Sequence, residues 1–190
     1  MHGRSRRLCT AAALLTALTA GCAGGPASDS PDRQENKDNS TQQAAPGVIA
    51  DPAELQKELR PLPPGLRSAY DAYWAAWTEA NATSDPDNAR LRRAAGGDLL
   101  ALLRDSLARA RATGTVQKGT VGHEVRGSVP RNGGQAVVDC TDLDNWLLYD
   151  ARTGKETQQL RDKPSQLAVI TFTLRGRDWV ATRGEMGGDC

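Results

Sequence analysis

Hydrophobic positions follow two different periods along this chain of 190 residues. From Pro64 to Gly114 they recur every three to four residues, as on one face of an amphipathic helix. Prolines, glycines and capping residues between these stretches predict three helices, over residues 64–83, 86–94 and 98–113. The first helix has the strongest apolar stripe, which is largely aromatic: Leu66, Tyr70, Tyr73, Trp74 and Trp77.

After Gly114 apolar and polar residues alternate, which is the period of a β-strand. One or two strands are predicted in 115–130, and single strands in 136–140, 146–149, 167–174 and 179–182. The polar residues 156–165 predict a loop or a ragged edge. Because successive side chains of a strand point to opposite faces, Cys140 is expected to share a face with the core and Asp139 to point outward. Helices followed by a meandering antiparallel sheet predict an α+β fold.

The first 22 residues combine arginines, an apolar run and a cysteine. Three arginines precede the apolar run 8–20, which is too short to cross a bilayer. The run ends in the sequence LTAGC, residues 18–22, which resembles the lipobox of bacterial lipoproteins. This resemblance implies removal of residues 1–21 as a signal peptide and a diacylglyceryl anchor on Cys22, at the extracytoplasmic face of the cell membrane. Thr19 stands where the family prefers leucine, so an uncleaved anchor and plain secretion stay open, as do general and twin-arginine export.

Residues 22–63 read as a tether between the anchor and a folded domain over 64–190. Residues 23–50 contain no aromatic residue and few apolar ones, so they cannot bury enough surface to order. A flexible segment of that length spans roughly 30 Å. Residues 51–59 are compatible with a short peripheral helix, which the prolines from Pro61 onward end.

Removal of the leader and lipidation of Cys22 would leave two cysteines, Cys140 and Cys190. In an oxidising compartment two such thiols form a disulfide, with free thiols as the alternative. His123 is the one histidine beyond the leader, and no metal-ligand spacing surrounds it, so no metal or cofactor is predicted.

The charge distribution argues against a nucleic-acid partner. Of the 24 Lys and Arg residues, Arg4, Arg6 and Arg7 fall in the leader, so the remaining chain is slightly acidic, with 23 Asp and Glu. No basic stripe is left to follow a phosphate backbone.

Four short motifs together resemble a group of actinobacterial lipoproteins with a nuclear transport factor 2-like domain. They are the Tyr/Trp-rich first helix, the sequence 138–140 (VDC), the sequence 176–179 (GRDW) and the final Cys190. The resemblance implies, over residues 64–190, a cone in which three N-terminal helices pack on a curved antiparallel sheet.

Function follows from the sequence only as a set of alternatives. The main expectation is a non-catalytic binding domain for an envelope partner protein or a small apolar ligand. A second alternative, implied by the enzymatic members of the nuclear transport factor 2-like superfamily, is a cone-fold isomerase, cyclase or dehydratase. Asp139, Asp142 and His123 could supply its acid–base groups, and Tyr70 and Tyr73 its hydrogen-bond donors. A third is a structural subunit of an envelope assembly. If the cone has an open cavity, its predicted wall is Tyr73, Trp77, His123, Asp142 and Trp146.

Cys22→Ala tests the lipid anchor. Without the thiol no diacylglyceryl group can be attached, so we expect the protein to leave the membrane fraction or to accumulate unprocessed. Fractionation with immunoblotting measures this. Unchanged processing and anchoring of the variant would contradict the lipobox interpretation.

Overall fold

The computed structural model describes residues 52–158 and 165–190. The leader, Cys22 and most of the tether lie outside these residues, as does most of the predicted loop 156–165. The helices of the described part are α1 (Pro52–Glu58), α2 (Leu66–Thr83), α3 (Ala89–Ala94) and α4 (Gly97–Thr113). Its strands are β1 (Thr115–Gly119), β2 (Gly122–Arg131), β3 (Gly134–Asp142), β4 (Trp146–Asp150), β5 (Glu156–Gln158), β6 (Gln166–Arg175) and β7 (Asp178–Asp189).

The strands form two antiparallel sheets, with the orders β2-β3-β6-β7 and β1-β4-β5. Helices packed on antiparallel sheets confirm the α+β prediction and match the arrangement that the nuclear transport factor 2-like resemblance implies. The division into two sheets was not predicted. Residues 120–121 separate β1 from β2, and β1 then pairs with β4 from Thr115 opposite Asp150 to Gly119 opposite Trp146.

Two elements differ from their predicted bounds by three residues or more. Helix α3 begins at Ala89, after the predicted start at Pro86, because the side chain of Asn88 caps it by accepting bonds from the N–H groups of Arg90 and Leu91. Strand β7 continues to Asp189 because it pairs along β6 past Thr182. None of the helices within 52–158 and 165–190 has the length and apolarity needed to span a bilayer.

The main core lies between the helices and the inner face of the four-stranded sheet. The aromatic stripe of α2 packs there against the strand residues Val137, Ile170 and Phe172. Helices α3 and α4 complete this cluster with Leu91, Leu99, Leu103 and Leu107. Each large apolar side chain buried in this way contributes about 1.5–3 kcal/mol.

A second apolar cluster covers the outer face of the same sheet. Leu55 of α1 is buried there against Val138 and Val169, and Leu59 packs on the cluster from its edge. Leu55 and Leu59, in the segment 51–59 that was predicted to be peripheral, therefore pack on the folded unit.

Burial of both faces corrects the predicted direction of Asp139. Cys140 lies on the outer face, and Asp139 points to the inner face, where its side chain is 0% exposed. The prediction assumed that only one face of this strand meets a core, and α1 supplies the second.

Cys140 and Cys190 form the predicted disulfide. It ties the outer face of β3 to the end of the chain. The residue separation of 50 gives a loop-closure contribution of about 4 kcal/mol.

Cys140→Ser is expected to lower the melting temperature by on the order of 10 °C, because the unfolded chain regains the entropy of the open loop. Thermal unfolding followed by circular dichroism measures this. Wild-type protein melted in the presence of a reductant should show the same decrease. A melting temperature insensitive to both the substitution and the reductant would refute a stabilising role for the bond.

Candidate functional site

Three polar side chains from α2, β2 and β3 meet at the inner face of the four-stranded sheet: Tyr70, His123 and Asp139. Tyr70 lies on the buried stripe of α2, one helical turn before Trp74. His123 stands opposite Thr141, so it is a diagonal neighbour of Asp139 on the same face of the sheet. The site thus depends on sheet register and on the rotation of α2.

The contacts among the three side chains converge on one carboxylate oxygen. The Tyr70 hydroxyl donates to Oδ2 of Asp139 at 2.5 Å. Nδ1 of His123 lies 2.7 Å from the same oxygen and 3.5 Å from the Tyr70 hydroxyl. The other oxygen of Asp139, Oδ1, has no hydrogen-bond partner among the described residues.

The carboxylate determines which nitrogen of the imidazole carries a proton. An ionised carboxylate only accepts hydrogen bonds, so Nδ1 of His123 must donate to Asp139. In the neutral ring Nε2 is then an unprotonated acceptor. Nε2 makes no hydrogen bond with any residue that the structure describes.

Tyr70 is kept protonated by its surroundings. Burial raises the pKa of its phenol far above the ordinary value, and the hydrogen bond to Asp139 and the charge of that group raise it further. Burial also raises the pKa of Tyr73. Tyr70 therefore acts as a permanent donor that holds Asp139 in place.

Aromatic rings fix the orientation of the imidazole. The ring centroid of His123 lies 4.9 Å from that of Trp74 and 5.7 Å from that of Tyr70, with the latter pair edge to face. These contacts leave 22% of the His123 side chain exposed.

The exposed part of His123 lines an open groove between α2 and the connection from β1 to β2. We call it the His123 groove; its volume is about 290 Å³. The lining residues are Asp71, Trp74, Ala75, Thr78, Gly119, Thr120, Val121 and His123. Ala75, Val121 and the threonine methyl groups give the groove an apolar wall. Its hydrogen-bonding groups are the imidazole of His123, the carboxylate of Asp71 and the threonine hydroxyls. Such a surface can bind a small ligand and exchange a proton with it.

The structure separates the residues predicted to form a cavity wall. Of the five predicted residues, only His123 lines the groove. Tyr73 is 3% exposed and packs in the core, and Trp77 and Trp146 contact each other with ring centroids 6.3 Å apart. Asp142 is exposed and accepts a hydrogen bond from the N–H of Asp144, as in a turn.

Tyr70, His123 and Asp139 were among the acid–base candidates of the sequence, but their mutual contacts were not predicted. The groove residues Asp71, Thr78 and Thr120 were missed. The one signal for Asp139 was its position in a strand whose neighbours on both sides are apolar, which is typical of burial on both faces. Within the described ranges, no group of His, Cys, Asp and Glu side chains is arranged to hold a metal ion.

Comparisons with known proteins identify structures of similar fold and indicate no activity. No protein-family model matches the chain, and no curated protein matches it. Among solved structures it is similar to the intermembrane space region of the chloroplast protein ARC6 (16% identity, 66% of this chain, 98% of that chain, TM-score 0.42). It is also similar to a protein described as a calcium/calmodulin-dependent protein kinase type II association domain from Thiobacillus denitrificans (13% identity, 67% of this chain, 97% of that chain, TM-score 0.39). A third similar structure is that of the variant protein Rd1NTF2_05 (12% identity, 64% of this chain, 99% of that chain, TM-score 0.36). Similarity at this level says nothing about what this chain binds.

The raised pKa of Tyr70 predicts a loss of stability in alkali. Above about pH 10 the unfolded state releases the phenolic proton while the folded state keeps it, so the free energy of unfolding falls as pH rises. Tyr70→Phe removes this contribution, and its stability should fall less steeply. Urea unfolding between pH 9 and 11 measures both slopes. Equal slopes for the two proteins would contradict the buried, protonated phenol.

Proposed function

We propose that this chain is a lipid-anchored extracytoplasmic domain that binds a small ligand in the His123 groove. The observation that carries the proposal is the hydrogen bond between Nδ1 of His123 and the buried carboxylate of Asp139. It commits one nitrogen of the ring to the protein, so Nε2 is the nitrogen left to bind a ligand in the groove that His123 lines. The ligand is expected to have an apolar ring or chain and a hydroxyl or acid group that donates to Nε2.

The cost of burying Asp139 supports a functional role for the pair. A carboxylate with one oxygen lacking a partner among the described residues is expensive to remove from water. Two donors, Tyr70 and His123, offset only part of this cost. An arrangement that lowers stability in order to orient one imidazole is typical of a binding or catalytic site.

The size of the groove limits the ligand. Its volume of about 290 Å³ lies at the lower end of the range for small-molecule sites. The apolar wall is mainly aliphatic, from Ala75, Val121 and the threonine methyl groups, and favours a small apolar group.

The proposed location combines two features. The disulfide between Cys140 and Cys190 is of the kind that persists in oxidising compartments. The lipobox-like sequence ending at Cys22 would hold the domain at the outer face of the membrane.

Acid–base catalysis is a second candidate function, which the same hydrogen bond favours. A carboxylate that holds the proton on Nδ1 makes Nε2 available as a general base, and such a group accelerates proton transfer by about 10²–10⁴-fold. An isomerase, cyclase or dehydratase would use this nitrogen to remove a proton from carbon.

A panel of phenols, short alcohols, carboxylic acids and enolisable ketones, titrated into ¹⁵N-labelled protein, tests the proposal. Binders should shift the Nε2 resonance of His123 and should bind about 3- to 10-fold more weakly to His123→Asn, which loses one hydrogen bond. Asparagine can still donate to Asp139, which guards against unfolding. Glu124→Gln, at the exposed neighbouring position, is the matched control.

Failure of every compound to shift Nε2, or equal affinity for wild type and His123→Asn, would contradict binding at this groove. The same titration in D₂O separates the two candidate functions. Incorporation of deuterium into a bound ketone that is lost in His123→Asn would establish catalysis, and binding without incorporation would establish a binding domain.

A further inference from the structure

A second groove lies one turn of α2 before the His123 groove, between the segment that joins α1 to α2 and strand β2. We call it the arginine groove; its volume is about 460 Å³, larger than that of the His123 groove. Three arginines and four apolar side chains contribute to it. The lining residues are Leu59, Arg60, Pro61, Leu62, Arg67, Val125, Arg126 and Gly127.

The backbone holds this groove in a defined shape. Arg60 and Ser128 form two reciprocal backbone hydrogen bonds of 2.9 Å, which attach the α1–α2 segment to β2. A β-bulge between Val125 and Gly127 shifts the register of β2 at this point. A Cβ at Gly127 would stand 2.9 Å from the carbonyl oxygen of Arg60, so the close approach requires glycine.

The arginines are only partly neutralised by other groups. Arg67 forms an ion pair with Asp71 at 3.0 Å, and Arg126 donates to the backbone oxygen of Cys190 at 3.3 Å. The side chain of Arg60 makes no hydrogen bond or ion pair with a described residue. The groove therefore presents positive charge beside apolar surface, which suits an anion with a short apolar part.

The position of the groove indicates where that anion comes from. The described residues begin with helix α1, which has 7 residues, and Leu59 of the groove follows directly after it. The arginine groove is thus near the point at which the tether joins the domain. If the chain is anchored to a membrane through Cys22, the face beside α1 is the part of the domain closest along the chain to that anchor.

We infer that the arginine groove binds the phosphodiester headgroup of an anionic membrane lipid. Guanidinium groups bind phosphate oxygens in a bidentate manner. The apolar wall formed by Leu59, Leu62 and Val125 contacts the glycerol and the first methylenes of the lipid. The inference rests on the proposed lipid anchor for the orientation of the domain, and the groove itself is a property of the fold.

The test uses the full lipidated protein in nanodiscs of phosphatidylcholine, with and without 30% phosphatidylglycerol. Hydrogen–deuterium exchange of the amides of Leu62 and Gly127 is expected to slow at least about fivefold on the anionic discs, which is the contribution of one arginine at an anionic surface. Arg60→Ala and Arg126→Ala should each remove about this factor. Arg109→Ala, an exposed arginine of α4, is the matched control and should not change the exchange.

The arms of the experiment separate the possible sources of the anion. Equal exchange on neutral and anionic discs would overturn the inference. Equal protection by glycerol phosphate added to neutral discs would also overturn it and would assign the groove to a free phosphate ester. Equal protection by added polyglutamate would overturn it and assign the groove to an acidic protein.

The anchor is tested separately in the same preparation. If the protein does not co-purify with either disc, the proposed anchor fails. If it co-purifies equally with both discs and exchange is the same, the anchor stands and the groove inference fails. Melting curves of both alanine variants confirm that they are folded.

Discussion

Burial of strand β3 on both faces is the constraint on which the rest of the fold depends. Its inner face brings Val137 and Asp139 against α2, and its outer face brings Val138 and Cys140 against the second apolar cluster and the disulfide. Because side chains alternate, a slip of one residue would move the carboxylate and the cysteine to the wrong faces together. The register of one strand therefore maintains the His123 site and the attachment of the chain's last residue, Cys190.

The His123 site is not explained by stability. Tyr70 and His123 both bond to the same oxygen of Asp139, and a buried carboxylate held in this way contributes little net stability. An apolar side chain of similar volume at that position would avoid the cost of desolvating a charge. The arrangement instead fixes which nitrogen of the His123 imidazole carries the proton, at the wall of a groove. Pre-organisation of this kind is what a hydrogen-bonding or proton-transferring site requires.

The sequence predicted what local patterns determine. The apolar stripe of α2 follows from the spacing of apolar residues, and the structure contains it. The disulfide follows from the number of cysteines and the expected compartment, and the structure contains it too. The direction of Asp139 was predicted wrongly because alternation identifies two faces and does not say that both are buried. The bond between Tyr70 and Asp139 joins residues 69 apart, and only the packing of α2 on β3 brings them together. The bulge at Gly127 has no signature beyond a glycine within a strand.

Strand β2 supplies both grooves, and a change in its backbone separates them. Up to Val125 the strand pairs regularly with β3, so His123 keeps its alternation and faces α2. Beyond the bulge, Gly127 has a positive φ of 154° and no side chain, which lets Arg60 approach and form the second groove. A regular strand with a side chain at this point would push the α1–α2 segment away while leaving His123 in place. The first groove therefore depends on the register of β2, and the second depends on its interruption.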